Sequence, residues 1–415
     1  MTTEILLLIS VLAGFYMAWN IGANDVANAM GTSVGSGALT LKRAVIVAAI
    51  FEFSGAFFFG SHVSETIQKG LIDASIFAGS PMVLFCGMLA SLCASGLWLQ
   101  IASYFGWPVS TTHSIVGAVV GFGCVVGGVD AVYWSNVVFV GLSWIVSPLF
   151  GGVVAYGMFI FLKHKIFYSS HPIKSAIRYT PPIVFTVSSM LSLLFLYKGL
   201  ENLHLDLSIF SALAFSLFIG GIGFVVSYFC VRRLKPEEET LSSEFASVEK
   251  IFAYLQIMSA CLMAFAHGAN DVANAIGPLA ACISILHTGY IAETAVIPLW
   301  TLALGGVGII AGLATWGWRV IETIGKKITE LTPTRGFAVE FGAAATILVA
   351  SRLGLPISTT HTLVGAVIGV GLARGFEALN LATMRDIFIS WIVTVPAGAL
   401  LSVILFYIFK MLLSV

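Results

Sequence analysis

The chain has 415 residues, 58% of them hydrophobic and 10% charged, with twenty basic and twenty acidic side chains and no net charge. Soluble domains are about 45–50% apolar and about 25% charged, so the composition excludes a cytosolic enzyme and a disordered chain, and the absent basic excess argues against a nucleic-acid partner. What remains is an integral membrane protein.

In chain order, long apolar runs fall near 4–30, 44–61, 78–104, 108–128, 133–163, 181–198, 207–233, 251–276, 290–318, 338–353, 356–372 and 384–410. A helix needs roughly 20 apolar residues to cross about 30 Å of hydrocarbon. The runs do not alternate at period two, which excludes barrel strands. The expectation is therefore an all-α polytopic membrane protein of about twelve segments, or ten spans if 108–128 and 356–372 are re-entrant. The first basic residue is Lys42, so residues 4–30 are expected to be a retained span rather than a secretory leader. With the N-terminus outside and every segment crossing, sixteen Lys and Arg face the cytoplasm, Lys42, Lys163, Arg232 and Arg374 among them. Four face outward: Lys69, Lys198, Arg352 and Lys410. That asymmetry sets the orientation. The stretch 234–250, with Pro236 and Glu237, Glu238 and Glu239, reads as a cytoplasmic linker. The six cysteines lie in or beside apolar runs without a C-x-x-C pair and are expected to be small buried hydrophobes.

Two long motifs recur. GANDVANA stands at 22–29 and again at 268–275; P-[VI]-S-T-T-H-[ST]-[IL]-V-G-A-V-[VI]-G stands at 108–121 and 356–369; WIV stands at 144–146 and 391–393. The offsets of 246, 248 and 247 residues are nearly constant, which marks a duplicated unit. The expected organisation is a first transport repeat over 1–163, two connecting spans over 164–233, the linker 234–250, and a second repeat over 251–415. Seven spans separate the two starts, and an odd number inserts the copies in opposite senses. Inverted repeats built on broken helices, with a site at their midplane interface, are the architecture of many secondary transporters.

In GANDVANA, Asn24 and Asn28 are four residues apart and Asp25 and Asn28 three, so they share one helical face; Gly22, Ala23, Ala27 and Ala29 admit a close neighbour. Asn270, Asp271 and Asn274 repeat the set. An intramembrane aspartate marks an ion or substrate pathway by default, and carboxylate and amide oxygens suit Na⁺ or another hard cation. The alternative is a polar clamp between helices. In P-[VI]-S-T-T-H, proline suits the first turn of a helix. There Ser110, Thr111 and Thr112, and in the second copy Ser358, Thr359 and Thr360, add hydroxyls to a helix N-terminus able to bind an oxyanion. The alternative is capping of a broken helix. No Lys or Arg lies in either motif, so a bound anion needs cations held by Asp25 and Asp271. Carboxylates beside the anion favour a protonated oxyanion such as phosphate over sulfate.

His113 and His361 are more simply structural hydrogen-bonders than switches. His267 has Ile21 as its counterpart and is expected to be inessential. Glu52, Gln100 and Glu340 break the pseudo-symmetry, mapping near Pro298, Leu348 and Leu92; each is a candidate for a further cation site or a proton relay, or for a group at a helix end. Glu65 and Glu322, in VSET and VIET, read as interfacial. Gly117/Gly121 and Gly308/Gly312 read as packing seams. An intramembrane enzyme lacks support, since neither H-E-x-x-H nor G-x-S-x-G occurs. A passive channel has no discriminating sequence feature.

The doubled GANDVANA and the doubled P-[VI]-S-T-T-H closely resemble the inorganic phosphate transporter (PiT) family, and the resemblance covers nearly the whole chain. It implies cation-coupled uptake of inorganic phosphate by alternating access, usually as a dimer. It further implies that Ser110, Thr111, Thr112, Ser358, Thr359 and Thr360, with Asn28 and Asn274, contact phosphate. Asn24, Asp25, Asn270 and Asp271 would hold sodium, with Glu52 and Glu340 as further important acids. No cofactor is expected beyond Na⁺ as coupling ion. Large animal relatives carry a long cytoplasmic insert; the short connector here suggests a prokaryotic protein of the cell inner membrane. Coupling to Na⁺ leads, and coupling to H⁺, a metal–phosphate cargo or sulfate stay open on the same fold.

Overall fold

The structure, a computed structural model, describes residues 2–198, 207–233, 241–291, 297–318, 320–321 and 328–414. Expectations for Lys235, Glu237, Glu238, Glu239, Arg319, Glu322, Lys326 and Lys327, and for the side chains of Glu65, Lys69, Lys198 and Arg352, fall outside what it describes.

Among the described residues the regular structure is helical, apart from one isolated bridge between Ile72 and Val132. The α-helices are α1 (Thr3–Asn24), α2 (Val26–Gly35), α3 (Leu41–Lys69), α4 (Pro81–Tyr104), α5 (Thr111–Phe122), α6 (Trp134–Leu162), α7 (Pro172–Lys198), α8 (Ile209–Arg232), α9 (Leu241–Asp271), α10 (Ala273–Thr288), α11 (Leu299–Trp316), α12 (Pro333–Arg352), α13 (Thr359–Arg374) and α14 (Leu381–Leu413). Eight helical stretches among the described residues are long and apolar enough to cross a membrane. The chain is thus a polytopic α-helical membrane protein. Residues 241–250, read from sequence as linker, form the opening turns of α9. All six cysteines are free.

Both GANDVANA motifs break their helices. α1 and α2 meet at Asp25, where the Asn28 amide reaches back only three residues to the Asp25 carbonyl (2.8 Å). α9 and α10 meet at Val272, where Ala275 does the same (3.1 Å). A single tightened step reorients the ladder without a proline.

α4 with α5, and α12 with α13, form helical hairpins that return to the side they leave. At the foot of the first, Asp73 N–H donates to Ala131 O (2.7 Å) and Tyr133 N–H to Leu71 O (3.0 Å); at the foot of the second, Asn380 N–H donates to Ile328 O (3.0 Å). Contacts along the first broken helix fix how the hairpins approach. Tyr16 donates to Gln100 of α4 and Asn24 to Ser103 of α4, so α4 runs alongside α1 in the same direction. Beyond the break, Asn28 meets Thr360 and then Thr32 and Ser33 meet Glu340, so α12 descends against the direction of α2. The two tips therefore meet head-on. Thr112 Oγ1 donates to Ile357 O (3.0 Å), and Thr360 Oγ1 lies 3.3 Å from Val109 O.

The glycine pairs are packing seams. A Cβ at Gly117 or Gly121 would run into the α14 backbone at Val395 and Ala399, and one at Gly312 into Trp19 O of α1. Without interhelical water to expel, such close backbone contact is what holds membrane helices together.

Candidate functional site

The hairpin tips close over the two helix breaks and bury what the duplicated motifs carry. Asn24, Asp25, Asn28, Asn270, Asp271, Asn274 and the six hydroxyl residues at 110–112 and 358–360 are each 1% exposed or less.

The Ser-Thr-Thr triplets divide their labour. Ser110 accepts from His113 N–H (3.2 Å) and Ser358 from His361 N–H (3.1 Å), so both serines are N-caps. The helices begin at Thr111 and Thr359. This corrects the placing of Pro108 and Pro356 in the first turn: both precede the cap by two residues, in the extended tip that an X-Pro step favours. The threonines turn toward the carboxylates. Thr111 Oγ1 donates to Asp25 Oδ2 (2.7 Å), Thr360 Oγ1 to Asp25 Oδ1 (3.0 Å), and Thr359 Oγ1 to Asp271 Oδ2 (2.8 Å). The amides cross between halves. Asn28 Nδ2 donates to Thr360 Oγ1 (2.8 Å), while Asn274 Nδ2 lies 3.0 Å from Thr111 Oγ1 and 3.3 Å from Thr112 Oγ1.

Asn24 and Asn270 instead hold the tips. Asn24 Nδ2 donates to Ser103 Oγ and Trp107 O (both 3.0 Å), and its Oδ1 accepts from Val109 N–H (3.2 Å). Asn270 Nδ2 lies 3.2 Å from Ser351 Oγ and 3.3 Å from Leu355 O. Rotating that amide lets it donate to Asp271 Oδ1 (3.0 Å) and Ile357 O while accepting from Ser351. Their side chains are committed before any ion arrives.

His267, expected from the sequence to be inessential, is brought into the cluster of site acids. It lies between two acids, Nδ1 3.2 Å from Glu52 Oε1 and Nε2 3.0 Å from Asp271 Oδ2, all three buried. Glu52 comes from α3, which approaches α9 closely because position 268 is glycine: a Cβ there would overlap the Glu52 carbonyl. Ligand atoms of Asp25, His267 and Asp271 lie within 4.8 Å of one another. Three carboxyl groups, with one imidazole as the only basic group among them, form a set that burial penalises unless cations or protons join it. A legible signal existed: Gln256, Ser259, Met263, His267 and Asp271 recur at three- and four-residue spacing on one face of α9.

Glu340 is not brought to this cluster. It ends a second buried network, Oε1 accepting from Thr32 Oγ1 (2.6 Å), Ser33 Oγ (2.6 Å) and Gln256 Nε2 (3.1 Å), and Oε2 from Ser259 Oγ (2.5 Å). Gln100 stands apart from both, its Oε1 accepting from Tyr16. His113 and His361 sit behind the tips, ring centroids 4.2 Å apart. His113 lies tilted against Trp144 and His361 stacks on Trp391, and His361 Nδ1 lies 3.2 Å from Trp144 O.

A helical membrane bundle that buries hydroxyl donors, helix N-termini and carboxylates together has the construction of a membrane transporter. The chain belongs to the phosphate transporter family, whose sequence profile matches residues 21–402. It is 50% identical to inorganic phosphate transporter 2-1 of the Arabidopsis thaliana chloroplast, over 99% of this chain and 73% of that protein. It is 47% identical to a Chlamydia pneumoniae protein bearing the name phosphate permease, over 98% and 99% of the two chains. A solved structure of a protein named the sodium-dependent phosphate transporter superposes with a TM-score of 0.92 at 42% identity, covering 98% of this chain and 99% of that one. The family resemblance carried by the doubled motifs is borne out, and these relatives are transporters rather than enzymes.

Proposed function

We propose that the protein is a secondary symporter that takes up inorganic phosphate with Na⁺ by alternating access. The observation that carries this is the direct hydrogen bonding of the Asp25 and Asp271 carboxylates to the Thr111, Thr359 and Thr360 hydroxyls at two opposed helix N-termini, with Glu52 joined to Asp271 through His267. Hydroxyls, the Asn28 and Asn274 amides and helix-end N–H groups bind an oxyanion; carboxylates bind hard cations; and the two charges offset one another in a low-dielectric chamber. Phosphate is bound by those threonines and amides, and sodium by Asp25 and Asp271 with Glu52 beside them. Glu340 and its four donors form a separate candidate cation site. The antiparallel approach of the hairpins supports two halves of inverted topology, and the burial of every site group supports a cycle in which one tip at a time withdraws. By the charge asymmetry the N-terminus lies outside, in the inner membrane of a prokaryote. A dimer is carried over as an expectation of the family.

The test is uptake of labelled phosphate into proteoliposomes with and without an inward sodium gradient. Saturable uptake that collapses in sodium-free buffer is expected. Uptake unchanged without sodium overturns the sodium assignment, and preferential uptake of sulfate overturns the substrate. Coupling to protons is the second reading, favoured by His267 standing between Glu52 and Asp271; uptake driven by a pH gradient alone would select it.

A further inference from the structure

On the face opposite the carboxylates, the histidine pair forms the floor of a lateral groove of about 780 Å³ between α6, α13 and α14. Its walls are apolar, and several wall residues, Leu149 and Val153 of α6 and Ile392 of α14 among them, are exposed. From Trp144 at the floor to Tyr156 at the mouth, α6 advances twelve residues, about 18 Å at 1.5 Å per residue. One leaflet of hydrocarbon is about half of 30 Å deep, so the groove matches a single acyl chain in length.

All three walls end at one rim, and each carries a cation there. Lys163 follows α6, its Nζ 3.4 Å from Ala373 O of α13; Arg374 ends α13; Arg385 lies in the first turns of α14. Arg374 is engaged by Glu330 and Arg385 by Asp386, and Glu377 lies between them in sequence. Lys163 meets no carboxylate among the described residues; its contacts are the Ala373 carbonyl and the Tyr168 ring. It stands seven residues, about 10 Å, beyond Tyr156, past the end of the apolar lining. Basic residues at the end of an intramembrane groove are the pattern that holds anionic lipid headgroups.

We propose that this groove is a specific site for one anionic phospholipid, its phosphate on Lys163 and one acyl chain lying along α6 against Trp144 and the His113–His361 pair. His113 follows Thr112 and His361 follows Thr360, so the chain backs directly onto the two helix ends that carry the hydroxyls. Occupancy then steadies the closed tips. That last consequence rests on the transport function proposed above; the binding site does not.

The experiment uses the full-length protein in phosphatidylcholine vesicles doped with phosphatidylglycerol, with bromine on the acyl chains of one lipid or the other, and reads quenching of tryptophan fluorescence. Brominated phosphatidylglycerol is expected to quench saturably at mole fractions where brominated phosphatidylcholine does not. Lys163→Ala should lower that preference about fivefold, the equivalent of about 1 kcal/mol per juxtamembrane cation. Val153→Phe, which fills the groove from its exposed wall, should abolish it while the circular dichroism stays native. Equal quenching by the two lipids overturns the proposal. So does a preference untouched by either substitution, one lost in Lys163→Ala but intact in Val153→Phe, or one relieved by inorganic phosphate. Because the readout is binding, a protein that failed to couple to sodium would leave this result unaffected.

Discussion

The two halves of the site are built from the same letters and differ in charge. Around Asp25 the partners are hydroxyls, Thr111 from its own half and Thr360 from the other. Around Asp271 one hydroxyl, Thr359, is joined by His267 and through it by Glu52. At the position of His267 the first copy has Ile21. Duplication thus supplied two equivalent carboxylate–hydroxyl pairs, and divergence gave one of them an imidazole and a further acid. Asp25 is hydrogen-bonded by hydroxyls, whereas Asp271 has the His267 imidazole in direct contact as well. If sodium binds here, the two halves are therefore not equivalent.

The largest effect expected to expose that difference is on sodium activation. Asp25→Asn and Asp271→Asn should each raise the sodium concentration for half-maximal uptake by about two orders of magnitude, since removing one partner from a buried charge set costs about 3 kcal/mol or more. Asp25→Asn should be the more severe, because an Asp271→Asn chain still keeps Glu52, held through His267, on that side of the cluster. Uptake titrated against sodium in proteoliposomes measures both. Ordinary activation in the two variants would put the cations elsewhere, and a larger loss at Asp271 would reverse the ranking of the halves.

Next is the imidazole. His267→Gln leaves Glu52 and Asp271 without the imidazole that bridges them and should destabilise the fold by about 3 kcal/mol. Glu52→Gln in the same chain should restore much of it, a coupling that a double-mutant cycle isolates. The thermal midpoint in detergent reports both. An unchanged midpoint in the single variant would mean that the bridge is incidental.

Smaller, and on the substrate, are Thr111→Val and Thr359→Val. Each removes a hydroxyl at a helix N-terminus, and hydrogen bonds to charged groups contribute about 1.5–3 kcal/mol. The phosphate concentration for half-maximal uptake should rise about tenfold or more in each, with folding intact. Unaltered affinity in both would move the anion away from the tips.

How far the sequence announces this site depends on what kind of pattern each part makes. Asp25, Asp271 and the threonines belong to long repeated motifs, and a duplicated motif with intramembrane acids is readable as a site without coordinates. Glu52, His267 and Glu340 have no repeat partner, and what brings them to a site is helix packing: the close α3–α9 crossing at Gly268 carries Glu52 to His267, and the α2–α9–α12 junction gathers four donors around Glu340. Such tertiary juxtaposition leaves only a faint trace, the polar stripe along α9. Helix ends were less legible still. The apolar run 251–276 stops short of α10, which continues through Thr288, because Gly277 and Pro278 read as a helix stop yet lie inside the helix.

The smallest effects separate capping from binding within the triplets. Ser110 and Ser358 spend their oxygens on the amides of His113 and His361, so Ser110→Ala and Ser358→Ala should each cost about 1 kcal/mol of stability and replacement by Gly only a few tenths. The cost should be alike in the two halves, because the two caps are equivalent: Glu52 and His267 reach Asp271 without touching either serine. Phosphate affinity should shift far less than in the threonine variants, since each cap faces its own first turn. An increase in phosphate requirement for Ser110→Ala as large as that for Thr111→Val would mean that the serine leaves its cap when the anion arrives. The division of labour between serine and threonine would then not survive binding.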